Sequence, residues 1–133
     1  MVFVGVNYLA IIVAAAVGMA VGAAWYTLLA KSWMAAIGKT ADELKPSPGP
    51  FIIAGISQLV MAAMLAGVIG HLGDVTIFNG VVSGIFVWVG FVATTLAVNH
   101  AFQGANRMLT VIDGGHWLAV LIIQGLVIGA FGV

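Results

Sequence analysis

Four apolar runs, each longer than the roughly 18 residues that mark a membrane span, take up most of this chain. They predict helices over about Val6–Leu29, Phe51–Leu72, Val75–Val98 and Val111–Phe131. In lipid, every backbone N–H and C=O must be paired within the protein, and a helix does this inside each segment. Composition excludes the soluble alternative. Of 133 residues, 63% are hydrophobic and 6% charged, so eight charged side chains would have to solvate a whole surface. The expected fold is all-α: a single transmembrane domain over residues 1–133, an integral membrane four-helix bundle with both termini on the same side. The N-terminus has no basic region and no small-residue cleavage site, so the first run is expected to be a retained helix.

Orientation follows from the stretch between the first two runs, WYTLLAKSWMAAIGKTADELKPSPGP, which holds Lys31, Lys39, Lys45 and all three prolines. Arg107, the fourth cation, follows the third run, while the N-terminal tail, the loop His71–Asp74 and the C-terminus carry none. The positive-inside rule then predicts the first and third loops in the cytoplasm and both termini in the periplasm of a bacterial inner membrane. Trp25, Tyr26 and Trp33 bracket Lys31 as an interfacial aromatic belt. Thr40 and Glu43 have capping-box spacing, which predicts a helical turn over 41–45. The Pro-Ser-Pro-Gly-Pro run predicts an extended connector, with Pro50 at the first position of the second helix.

Small residues recur on one face of each run. Asn7, Ala10, Ala14, Gly18, Gly22 and Trp25 share a stripe at helical spacing, as do Gly55, Gln58, Ala62 and Ala66. Gly80, Ser83, Gly84 and Thr94 align on the third run, and Gly125 and Gly129 lie four apart on the last, with Gln124 alongside. Small side chains let helix backbones approach closely, which drives packing where lipid supplies no hydrophobic effect. Ala14, Gly18, Gly22, Gly80, Gly84, Gly125 and Gly129 are therefore the candidate packing residues. Asn7, Gln58, Thr94 and Gln124 are the candidate intramembrane polar residues.

Little here points to chemistry. Zero formal net charge gives no footprint for nucleic acid, and without cysteine there is no thiolate ligand or nucleophile. No HExxH, P-loop, GxSxG or pair of deep carboxylates occurs. Thr110 and Asp113 have capping-box spacing at the start of the last run, and Asp113 and His116 are neighbours on one helical face. With His100 they form a candidate interfacial cluster, read as hydrogen-bonded and structural, with no metal, cofactor or catalytic residue expected.

The segments Asn7–Ala10, Gly22–Tyr26 and Lys31–Gly38 resemble the start of an uncharacterised bacterial family of small four-helix membrane proteins, known only as a domain of unknown function. Phe102-Gln103-Gly104 and the run Leu109–His116 resemble its later half, with Gln103, Asp113 and His116 where the family usually has Glu, Asn and Tyr. The resemblance implies the four-helix topology and supplies no activity. Two functions fit the residues. One is a non-enzymatic bundle in the lipid bilayer that forms a homo-oligomer or serves as an accessory subunit of a larger membrane complex. The alternative is a small transporter or channel, with Asn7, Gln58, Thr94 and Gln124 lining a polar path inside an oligomer.

Overall fold

The computed structural model describes residues 4–132. Helix α1 spans Tyr8–Leu28, α2 Ala30–Ile37, α3 Pro48–Leu72, α4 Ile77–Val87, α5 Thr94–Gln103 and α6 Arg107–Phe131. A π-helical segment, Trp88–Ala93, joins α4 to α5, so Ile77–Gln103 is one continuous helix of 27 residues. With α1, α3 and α6 it makes four helices long and apolar enough to cross a membrane. No strand occurs among the described residues.

Local sequence sets the helix ends. Asn7 caps α1 by accepting from the Ala10 N–H at 3.1 Å, and Thr76 caps α4 by accepting from Asn79 N–H at 3.1 Å. Gly38 and Gly104 close α2 and α5 in the left-handed conformation, with φ of 69° and 66°, where any other L residue is strained.

Several boundaries differ from the sequence expectation. The α3 helix begins at Pro48, not Pro50; prolines are tolerated throughout a first turn because its N–H groups have no intrahelical acceptor. The last span begins at Arg107, capped by the Asn106 side chain, which accepts from Met108 N–H at 2.8 Å. Thr110 thus lies inside the helix and is not its cap. The short turn after Thr40 covers Ala41–Glu43, and Thr40 bonds the Glu43 carboxylate at 3.3 Å. The stretch after Leu29, expected as loop, is helix α2. Leu29 departs from helical geometry (φ −103°, ψ 18°), yet its N–H reaches Trp25 O at 2.9 Å and its C=O accepts from Trp33 at 2.8 Å. The chain therefore bends without losing its backbone bonds.

The last span is the hub: α6 touches every other helix, most extensively α4 and α1, while α1 also packs on α3. The core between them is Ile11, Ala14, Ala15, Ala62, Leu65, Ala66, Ile69, Leu121 and Ile128. Val4–Asn7, the turn at His71–Val75 and Gly132 meet around one cleft of about 420 Å³.

Candidate functional site

The glycines place the helices. A Cβ on Gly80 would overlap the Gly125 carbonyl oxygen, and one on Gly125 would overlap that of Gly80. Gly84 faces the Leu121 carbonyl, and Gly129 faces that of Thr76. Here α4 and α6 touch backbone to backbone, the closest approach two helices can make. Gly18 and Gly22 serve a different end: they leave room for side chains. A Cβ on Gly18 would meet the Gln58 amide, and one on Gly22 would lie 3.0 Å from His116 Nε2. Ala14 is fully buried beside them.

That room holds the deepest polar contact. Gln58 and Gln124 are 2% and 0% exposed. Gln124 Nε2 donates to Gln58 Oε1 at 2.6 Å and more weakly to the Gln58 carbonyl at 3.4 Å. The pair ties α6 to α3, leaving Gln124 Oε1 buried with no hydrogen-bond partner. The other two intramembrane polar candidates lie elsewhere. Asn7 is a helix cap. Thr94 faces outward and donates to Gly90 O at 2.9 Å, while Thr95 donates to Phe91 O. Threonine hydroxyls commonly bond back to a carbonyl of the preceding turn, here within and beside the π segment. The four residues therefore do not share a surface. The stripe Gly80–Ser83–Gly84 also loses Thr94, because the π segment rotates the helix between them.

A second polar site lies at the end of the bundle that carries Arg107. Tyr26 OH donates to Asp113 Oδ1 at 2.7 Å, joining α1 to α6. The His116 ring packs on Tyr26 (centroids 4.9 Å apart, tilted 54°) and on Trp117 (4.5 Å, 64°). His116 is 6% exposed, and its Nδ1 has no partner. Two indoles clamp the same stretch of α6: Trp25 Nε1 donates to Ile112 O at 3.0 Å, and Trp88 Nε1 to Gly114 O at 2.8 Å. A Cβ on Gly115 would lie 2.7 Å from the Trp25 ring, so glycine there lets the indole come close to the helix.

The expected cluster of His100, Asp113 and His116 is thus divided. His100 Nδ1 bonds Thr110 Oγ1 at 2.9 Å and closes the turn between α5 and α6, while Asp113 and His116 turn toward Tyr26. Among the described residues no three His, Cys, Asp or Glu side chains come close enough to hold a metal ion. The sequence pattern missed Tyr26, Trp25 and Trp88 as partners of this segment. A signal existed: buried indole N–H and phenol O–H groups need acceptors, and the glycines at 114 and 115 are where a ring can reach a helix carbonyl.

No curated protein and no solved structure matches the chain. Residues 9–129 match the family described as Protein of unknown function (DUF1761). That match spans nearly the whole chain, from the first turn of α1 to the last turn of α6, and the chain belongs to this family.

Proposed function

We propose that this chain is a non-enzymatic, multi-pass bundle of the bacterial inner membrane that acts through helix contacts, first with a second copy of itself and through it as an accessory subunit of a larger complex. The observation that carries this reading is the outer face of the third span. Only 11% of its most apolar window is buried, against 44% for α6. Phe86, Val89 and Phe91 project from that face at 72%, 53% and 72% exposure, around Gly90, whose absent side chain leaves open space. A glycine between large apolar side chains forms a notch into which another helix backbone fits.

The transport reading has less support, because Gln58 and Gln124 are buried against each other and Asn7 and Thr94 are engaged on their own helices, so the four line no shared surface. The absence of native cysteine makes the test clean. Phe86→Cys or Val89→Cys in oxidised membranes should give a disulfide-linked dimer on a non-reducing gel. Ile52→Cys on the exposed face of α3 should stay monomeric. Monomers throughout, or equal crosslinking from both faces, would discard the reading.

The proposal places the basic end in the cytoplasm and both termini in the periplasm, on the positive-inside rule. A C-terminal alkaline phosphatase fusion should be active and a C-terminal green fluorescent fusion dark; the opposite pair of results reverses the orientation.

A further inference from the structure

We infer that the Arg107 end of the bundle is a binding surface for anionic phospholipid headgroups. All four cations of the chain collect there. Lys31 is on α2, Lys39 follows its Gly38 cap, Lys45 precedes α3, and Arg107 is the first residue of α6. All four are exposed. Packing of α2 on α6 brings the elements bearing Lys31 and Arg107 together. The opposite end, around the His71–Asp74 turn, holds Asp74 and no Lys or Arg among the described residues.

Three acids share the basic end, and two of them accept hydrogen bonds from hydroxyl groups. Asp113 is half-buried and accepts from Tyr26, and Glu43 accepts from Thr40. Asp42 and Glu43 are both exposed in the loop and remain counter-charges, so four cations face three carboxylates at this end.

Height in the bilayer matches the chemistry. The continuous helix Ile77–Gln103 has 27 residues, about 40 Å at 1.5 Å per residue, against a hydrocarbon core of about 30 Å. The excess, together with α2, which extends the first span past the bend at Leu29, reaches the headgroup layer. Tyr26 and Trp33, edge to face with centroids 5.9 Å apart, sit where aromatic side chains mark that boundary. The cations come from three separate elements and do not converge on one pocket. That spacing suits several lipid phosphates and not a single free phosphate. Basic residues next to a span are the usual reader of an anionic leaflet.

The test uses the whole chain in a neutral detergent. Phosphatidylglycerol added as mixed micelles should raise the melting temperature, and phosphatidylcholine and glycerol 1-phosphate should not. High salt should remove the shift, because exposed charges are screened. Lys31→Gln with Arg107→Gln should lose most of it, and Lys31→Arg with Arg107→Lys should keep it. Should the first pair fail to fold, Lys39→Gln with Lys45→Gln, both outside the long helices, should halve the shift. An equal rise with phosphatidylcholine overturns the proposal. So does a full shift in the glutamine variants, or one reproduced by glycerol 1-phosphate alone.

Discussion

Gly80→Ala should be the most damaging single-methyl substitution in the chain. The added Cβ would fall on the Gly125 carbonyl oxygen, a backbone atom that no rotamer change can move aside. Overpacking in a close-packed interior costs about 1–3 kcal/mol, and a clash with backbone belongs at the top of that range. A small domain has only about 5–15 kcal/mol to lose. Gly80→Leu should therefore yield no folded protein. Ala24→Leu is the control: Ala24 is exposed on α1 and a larger side chain there meets only lipid. Gly22→Leu should fall between the two, because its obstacle is the His116 ring and not backbone. Thermal aggregation of detergent-solubilised variants orders the set. If Gly80→Ala melts with the wild type, α4 and α6 do not touch backbone to backbone.

The second large effect concerns the buried amides. Gln58→Leu removes the closer acceptor of Gln124 Nε2 and leaves a side chain that is 0% exposed with only the weak 3.4 Å contact to the residue 58 carbonyl. Interhelical hydrogen bonds in membranes contribute only about 0.6 kcal/mol on average. Leaving a buried polar group unpaired costs about 1–3 kcal/mol, so the stranded amide decides the outcome. Gln58→Leu should thus be destabilised by about 2 kcal/mol, within that range. The double variant Gln58→Leu/Gln124→Leu should recover most of the loss, since it removes both partners and fills similar volume. A double variant less stable than either single one would show that the amides are held by something besides each other.

Much of this architecture was legible in the residues, and the reason is the solvent. Four long apolar runs in a bilayer have one economical solution, and the glycine spacing on α4 and α6 marks the faces that meet. The parts that escaped depend on tertiary context. The residues of α2 read as loop because Lys31, Ser32 and Lys39 interrupt the apolar run. It is helical because Trp33 packs on Tyr26 and the segment leans on α6. Thr110 and Asp113 imitate a capping box, but Asn106 lies one turn earlier and caps the helix first. Asp113, once inside the helix, takes its partner from α1. Sequence spacing ranks neighbours along one helix and says nothing of the facing one, so it groups His100 with Asp113 and does not pair Asp113 with Tyr26.

The π segment Trp88–Ala93 has a consequence for how this span tolerates change. An ordinary helix is phase-locked: the face presented at one end dictates the face presented several turns later. A wider turn breaks that lock. Ile77–Val87 is committed to the glycine seam with α6, whereas Thr94–Gln103 turns its side chains to a different azimuth. Both halves meet α6, the first through the glycine seam and the second through a slighter contact that includes His100 on Thr110. Heritable variation in Thr94–Gln103 can accumulate, or be tuned to a new contact, without disturbing the seam that holds the bundle together.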